Sequence, residues 1–167
     1  INAGVVRNCQ PQAAAHLIAE KLGVETHATT ISSACNSGID AIASAASMID
    51  TGEAELAIAG GSDAPVTPLA MASLSASGLL SGANSDPQRA SRPYDADGEA
   101  GVASEGAGIL ILENFEHALA RGARVHLEIT GYSAQMDHEA EDPFGGLEST
   151  MRLALANAGR NVREIDF

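Results

Sequence analysis

One cysteine of this chain lies in a setting that favours nucleophilic chemistry. Cys35 stands within Thr29-Thr-Ile-Ser-Ser-Ala-Cys35-Asn-Ser-Gly38, where a β-branched run gives way to a helical pattern. Backbone N–H groups at a helix start lack partners within the helix and carry partial positive charge. Such a helix end stabilises a thiolate, and its N–H groups can hold the oxyanion formed when a thioester carbonyl is attacked. Because Ser37 and Gly38 also leave room for a substrate, we interpret Cys35 as a candidate nucleophile.

A structural interpretation of the cysteines stays open beside the catalytic one. A free cysteine is most often a small buried hydrophobe, and the local pattern does not exclude that role for Cys35. Cys9 lacks a comparable setting. The spacing of the two cysteines matches no zinc or redox motif, so we expect reduced thiols in a cytoplasmic protein.

Other catalytic motifs fit the sequence poorly. A nucleophile elbow needs glycine two positions before and after the nucleophile, but Ser33 and Ser37 stand there. Gly106-Ala-Gly108 is half of a dinucleotide fingerprint, and it precedes a strand pattern instead of following one. None of the five histidines pairs with a cysteine or carboxylate at ligand spacing, and His117 is expected at a helix surface. We therefore expect neither a cofactor nor a metal.

Helices and strands alternate along the chain and predict how Cys35 is positioned. Residues 35–50 carry apolar or small side chains at helical spacing, with Ser32 and Ser33 as candidate caps and Gly52 as the stop. The alternation predicts an α/β fold with a largely parallel sheet. Residues 81–106, rich in Gly, Ser, Asp and Pro, predict a long ordered loop. The other predicted helices cover 12–22, 68–74, 114–121 and 147–158, and the predicted strands cover 25–32, 54–59, 107–113, 124–133 and 164–167.

Composition limits the classes of partner. The 167 residues include 22 acidic and 9 basic side chains, which give a formal charge of −13. This charge argues against nucleic acid and anionic membranes as partners, and no apolar stretch approaches the roughly 18 residues of a membrane span. Aromatic residues make up 3% and Trp is absent, so Ala, Val, Ile, Leu and Met must form the core. The length predicts one domain, or two at most.

Four sequence blocks resemble the elongating β-ketoacyl-acyl-carrier-protein synthases, in the family's order and spacing. The blocks are Ser33-Ala-Cys35-Asn-Ser-Gly38, Glu55-Leu-Ala-Ile-Ala-Gly60-Gly61-Ser-Asp, Ser91-Arg-Pro-Tyr-Asp95 with Glu105-Gly-Ala-Gly-Ile-Leu-Ile-Leu-Glu113, and Glu116-His-Ala-Leu-Ala-Arg-Gly-Ala123. The resemblance implies a thiolase-like α/β fold, in which two related halves form α-β-α-β-α layers, usually in a homodimer. It implies that this chain holds an incomplete fold: the later part of the first half in residues 1–133 and the start of the second half in residues 134–167.

The resemblance also implies a decarboxylating Claisen condensation with an acyl carrier protein as partner. Cys35 would take an acyl group from a carrier thioester. Malonyl on the carrier protein would then lose CO2, and its carbanion would attack the acyl-enzyme. The residues implied to contact the acyl group are Ala34, Asn36, Leu74 and Gly101, with Gly38 in structural support.

Polar residues outside the nucleophile block are interpreted as supports. The match implies that Glu105, just before a buried strand, braces the active-site floor instead of acting as an acid or base. Arg92 and Asp95 are expected to form an ion pair that orders the long loop. Asp137 matches a loop acid near the family's entrance, although the residues after it do not match.

Departures from the family pattern leave two alternatives open. The His-Gly-Thr and Asn-His-x-Phe motifs, which supply the decarboxylation histidines, do not occur in these 167 residues. Ala100-Gly101 replaces a Gly-Phe pair, and the aromatic usual near Leu74 is missing, which predicts a wider or differently gated pocket. Gly78 replaces an arginine used in carrier docking. The alternatives are a non-catalytic acyl-binding or scaffold homologue, and one chain of a split synthase.

Overall fold

The computed structural model describes residues 10–136 and 145–166. The chain divides into two compact units: the described parts of Ile1–Gly60 with Leu110–Phe167, and Gly61–Ile109. The helices are α1 (Ala13–Leu22), α2 (Ser37–Asp50), α3 (Pro68–Ala76), α4 (Phe115–Ala120) and α5 (Gly145–Asn157). The strands are β1 (Leu56–Asp63) and β2 (Gly106–Glu113), and short 3-10 turns cover Ala34–Asn36, Pro87–Arg89 and Val162–Glu164. No helix of the described ranges has both the length and the apolar character needed to cross a membrane.

Local chemistry explains where the predicted helices begin and end. The Thr67 hydroxyl accepts a hydrogen bond from the Ala70 N–H (3.3 Å), and Pro68 occupies the first position of α3, where its missing N–H costs nothing. The Asn114 side chain caps α4 in the same way. Gly23 ends α1 in the left-handed conformation, with φ of 66°. The helices predicted at 12–22, 68–74 and 114–121 are thus confirmed.

The two strands are neighbours in one sheet, and their direction differs from the expectation of a largely parallel arrangement. The N–H of Asn114, just after β2, donates to the carbonyl of Glu55, just before β1, at 2.9 Å. A bond that joins the start of one strand to the end of its neighbour requires antiparallel pairing.

Three predicted strands are wrong for the part of the chain that the structure describes. Residues 25–32, 124–133 and 164–166 form no strand there, because strand formation requires a hydrogen-bonded neighbour and β-branched composition supplies only the preference. The end of the second segment lies along α5 instead. The Ser133 hydroxyl donates to the Thr150 carbonyl (2.6 Å), and the Asn157 amide donates to the Tyr132 carbonyl (2.8 Å).

The buried apolar side chains of the described residues are all alanines. They are Ala13, Ala45, Ala46, Ala59, Ala90 and Ala118. Large apolar side chains such as Ile39, Leu69 and Leu127 are exposed, at 71%, 82% and 87%. Since burial of large apolar groups is the main favourable term in folding, the described chain holds little of that stabilisation by itself.

Backbone hydrogen bonds order the loop after α3, and the expected Arg92–Asp95 ion pair is wrong. The Arg92 guanidinium donates through Nε and Nη2 to the Asp97 carbonyl, at 3.0 and 2.7 Å. The Asp95 carboxylate accepts the Asp97 N–H at 2.8 Å. The acid therefore closes the local turn, which brings a carbonyl within reach of the arginine fork.

An ionic cluster ties α4 to the end of β2. The Glu113 carboxylate accepts hydrogen bonds from Arg121 Nε (2.7 Å) and Nη2 (2.6 Å), and lies 2.6 Å from His117 Nδ1. The Glu113 side chain is only 9% exposed. Hydrogen bonding to Arg121, helped by His117 and opposed by burial, lowers the pKa of Glu113 from 4.5 to about 2.

This pKa predicts an acid dependence of stability. Because the folded-state pKa of Glu113 is depressed, its stabilising contribution is fully present above pH 4.5 and is lost as the pH falls towards about 2. Glu113→Gln should therefore lower the free energy of unfolding at neutral pH. In this variant the free energy of unfolding should also fall less steeply as the pH is lowered from 4.5 to about 2. Denaturant titrations of the full protein across this range measure the effect. Glu116→Gln, in the first turn of α4, is the control, and an equal flattening in that variant would contradict the assignment.

Gly131 predicts a steric effect on stability. A Cβ at this position would lie 2.5 Å from the Ala158 amide nitrogen and 2.7 Å from the Ala154 carbonyl oxygen. Gly131→Ala should therefore cost about 1–3 kcal/mol, as overpacking does. Gly82→Ala is the matched control, because nothing lies within 4 Å of a Cβ there. Denaturant midpoints of the full protein measure both, and equal midpoints would count against this packing.

Candidate active site at the start of helix α2

Cys35 lies on a strained turn that leads into α2. The turn covers Ala34–Asn36, and the cysteine is exposed. Ala34 adopts the left-handed conformation, with φ of 55°, which costs a residue bearing a Cβ about 1–2 kcal/mol. Strained backbone of this kind is concentrated at functional sites. The strand-to-helix handover predicted for Cys35 is thus a turn-to-helix handover.

Side chains on both sides of the turn hold its backbone. The Ser37 hydroxyl accepts the Ser33 N–H at 2.9 Å and donates to the Ala34 carbonyl at 2.7 Å. The Ser33 hydroxyl donates to the Asp40 carboxylate on the first turn of α2. The predicted capping role of Ser33 is wrong, because its hydroxyl acts as a donor to an acid and accepts no N–H of the helix.

The geometry suits attack on a carbonyl by a thiolate. Cys35 precedes the first turn of α2, where backbone N–H groups lack partners within the helix and carry partial positive charge. They are also suitable donors for an oxyanion. Among the described residues, no group of three His, Cys, Asp or Glu side chains could hold a metal ion.

The predicted site residues fall in both units of the chain. Ala34, Asn36 and Gly38 accompany Cys35 in the unit that contains α2. Leu74, half-buried on α3, Gly101 and Glu105 belong to the unit Gly61–Ile109. Cys9 and Asp137 lie outside the described residues.

Hydrogen bonds fix two of the predicted residues within the smaller unit. Gly101 forms a parallel bridge with Leu80, with its N–H donating to the Leu79 carbonyl (3.1 Å) and its carbonyl accepting the Ser81 N–H (2.8 Å). The Glu105 carboxylate accepts the Val66 N–H at 3.2 Å. A carboxylate that bonds a backbone amide 39 residues away in the sequence joins two segments of its unit.

A shallow depression elsewhere on the chain contains none of the predicted residues. It has a volume of about 500 Å³ and follows one face of α5. Its lining residues are Glu148, Ser149, Arg152, Leu153 and Ala156. Because these residues come from a single helix, the depression is part of the helix surface.

Comparison with known proteins identifies the family. The family described as "Beta-ketoacyl synthase, N-terminal domain" matches residues 1–118. The chain belongs to the β-ketoacyl synthase family. It is 44% identical over 165 residues to a putative polyketide β-ketoacyl synthase 1 of Streptomyces cyaneus, covering 96% of this chain and 39% of the relative. It is 41% identical over 142 residues to 3-oxoacyl-[acyl-carrier-protein] synthase 2 of Vibrio cholerae, covering 82% and 34%. The chain thus spans well under half of these relatives.

Solved structures confirm the predicted thiolase-like fold, present here in part. A β-ketoacyl synthase from Burkholderia phymatum matches with a TM-score of 0.92 and 31% identity, over 100% of this chain and 41% of that one. A ketosynthase solved in complex with its type II PKS acyl-carrier protein matches with a TM-score of 0.89 and 33% identity, over 98% and 41%.

The sequence interpretation missed Asp40 and the role of Ser37. Asp40 lies five positions after Cys35 inside a helical pattern, where an acidic residue is usually a solvated one. The sequence did contain a signal for this bond. An acidic residue is favourable in the first turn of a helix, and Asp40 stands there within reach of the Ser33 hydroxyl. The sequence pattern indicates only the small size of Ser37, because the backbone partners of its hydroxyl are set by the folded turn.

The conformation of Ala34 predicts an unusual response to glycine. Ala34→Gly should raise the free energy of unfolding by up to about 1 kcal/mol, because glycine adopts positive φ without strain. Ala43→Gly, in the middle of α2, should lower it by roughly 0.5–1 kcal/mol. Denaturant unfolding of the full protein measures both variants. Destabilisation of equal size in the two would show that Ala34 does not adopt the left-handed conformation.

Proposed function

We propose that the protein containing this chain is a β-ketoacyl-acyl-carrier-protein synthase and that Cys35 is its acyl-accepting nucleophile. The observation that carries the proposal is an exposed thiol on the strained turn before α2, within the segment that matches the family. An exposed thiol is accessible to an acyl thioester, and cysteine is among the side chains that form covalent acyl intermediates.

The first step transfers an acyl group to Cys35. The thiolate sulfur attacks the carbonyl carbon of a carrier thioester, and a tetrahedral oxyanion forms. Amide N–H groups near the start of α2 stabilise this oxyanion. The bond to the carrier sulfur then breaks, and the carrier leaves as a thiolate that takes a proton.

The second step forms the carbon–carbon bond. Malonyl on the carrier protein loses CO2, and the electron pair of the broken bond forms an enolate. The enolate carbon attacks the acyl thioester on Cys35, whose sulfur leaves as a thiolate, and the β-ketoacyl product stays on the carrier. The family's decarboxylation histidines have no counterpart among these 167 residues, so in this proposal sequence outside the chain supplies them.

The roles proposed for the other site residues follow the family resemblance. The residues proposed to contact the acyl group are Ala34, Asn36, Leu74 and Gly101. Gly38, Glu105 and Asp137 are proposed as structural supports. The hydrogen bond from the Val66 N–H to Glu105 supports a bracing role for that acid.

We propose an acyl carrier protein as the partner, and a homodimer in the cytoplasm as the working form. The ketosynthase structure that contains an acyl-carrier protein supports the choice of partner. The family resemblance supports the dimer and the division into residues 1–133 and 134–167, and the cysteine content supports the location. The reaction as written uses no cofactor, metal, nucleic acid or membrane.

Labelling of the thiols tests the proposal directly. An epoxide inhibitor of the cerulenin type should modify Cys35 of the intact protein, because its thiol is exposed on the turn before α2. Peptide mass spectrometry locates the adduct, and Cys9 serves as the internal comparison. An adduct at Cys9 with none at Cys35 would overturn the assignment.

Replacement of the nucleophile separates an enzyme from a non-catalytic homologue. Cys35→Ser should lower condensation in the intact protein by several orders of magnitude, since the acyl-enzyme no longer forms efficiently. Cys9→Ser is the matched control and should retain activity. Complementation by Cys35→Ser at the wild-type level would favour the scaffold alternative.

A further inference from the structure

We propose that Ser33, Ser37 and Asp40 are positioning residues, whose hydrogen bonds fix the strained turn so that Cys35 meets the thioester carbonyl beside the first amides of α2. The inference rests on the proposed function, because it concerns how the nucleophile of that reaction is held. None of the three side chains is assigned a part in the bond-making steps.

One hydroxyl spans the strained residue. Ser37 Oγ accepts the N–H of Ser33 at 2.9 Å and donates to the carbonyl oxygen of Ala34 at 2.7 Å. It therefore bonds the backbone immediately before Ala34 and the peptide group that joins Ala34 to Cys35. These two bonds favour the left-handed conformation at Ala34 over the right-handed one that an alanine prefers.

A second bond ties the segment before the turn to the helix after it. The Ser33 hydroxyl donates to Oδ2 of Asp40, which lies on the first turn of α2. Hydrogen bonds to an ionised acceptor are roughly twice as strong as neutral ones. The negative charge of an aspartate is also favourable near a helix start. Asp40 can therefore anchor the turn on the rigid helix.

The turn matters because Cys35 follows the strained residue directly. Relaxation of Ala34 towards right-handed φ would rotate the peptide group before Cys35 and move its sulfur relative to the amides of α2. Misplacement of a reacting group by about 1 Å can lower a rate by roughly a hundredfold. A strained alanine at this position is therefore consistent with a requirement for a fixed position of the thiol.

The test compares variants of the full protein in single-turnover transfer of an acyl group from a carrier thioester to Cys35. Ser33→Ala and Asp40→Ala should each slow this step about tenfold, the equivalent of one hydrogen bond to a charged group. Asp40→Asn keeps an acceptor oxygen and should recover most of the rate. The double variant should be no slower than either single one, because both remove the same bond. Asp50→Ala, at the other end of α2, removes the same charge and should leave the rate unchanged.

A second reaction separates positioning from general destabilisation. Alkylation of Cys35 by iodoacetamide forms no oxyanion, so its rate should change little in variants that slow acyl transfer. Thermal midpoints are measured alongside. If Ser33→Ala transfers the acyl group at the wild-type rate, or if alkylation and acyl transfer fall equally in Asp40→Ala, the positioning role is overturned.

The two proposals fail in different ways. If Cys35→Ser retains full condensation activity, the proposed function is wrong and the positioning role is lost with it. If Cys35→Ser is inactive while Ser33→Ala and Asp40→Ala match the wild type, the proposed function stands and only the positioning role is overturned.

Discussion

The left-handed backbone at Ala34 is the constraint on which the candidate site depends. An alanine with φ of 55° is unfavourable by itself and persists only where neighbouring bonds hold it. Here the bonds come from Ser33, Ser37 and Asp40, and Cys35 is exposed on the turn just before α2. The reactivity proposed for this thiol thus follows from local strain held by local hydrogen bonds.

The described part of the chain buries few apolar groups, although hydrogen bonds define the geometry of its site. Its described buried apolar side chains are alanines, whereas Ile39, Leu69 and Leu127 are open to solvent. Hydrogen bonds and charge pairs, such as that between Glu113 and Arg121, fix local geometry, and each contributes only a modest net free energy to folding. The chain also spans only 39% and 34% of two relatives that it matches. The described part can therefore specify a site in detail while its large apolar surfaces are left uncovered.

Elements governed by short-range interactions were predictable from the sequence. The spacing of apolar residues and the glycine at position 23 located α1 to within one residue, and the run 107–113 located β2 equally well. The strand predictions at 25–32 and 124–133 failed for a common reason. β-branched residues prefer extended backbone, but a strand exists only where a neighbour accepts its hydrogen bonds. The antiparallel direction of β1 and β2 could not be predicted either, because it depends on how the fold brings the two strands together.

The sequence by itself determined that Cys35 stands where a helix begins, and its blocks of residues determined the family. Both depend on residue types within a few positions of each other, which a sequence displays directly. Only the tertiary structure decided that Ala34 is left-handed, that Ser33 donates to Asp40 instead of capping α2, and that Arg92 bonds a carbonyl. A serine, an aspartate or an arginine can each satisfy several partners, and the residue type does not choose among them. The choice follows from the distances and angles that the folded backbone imposes.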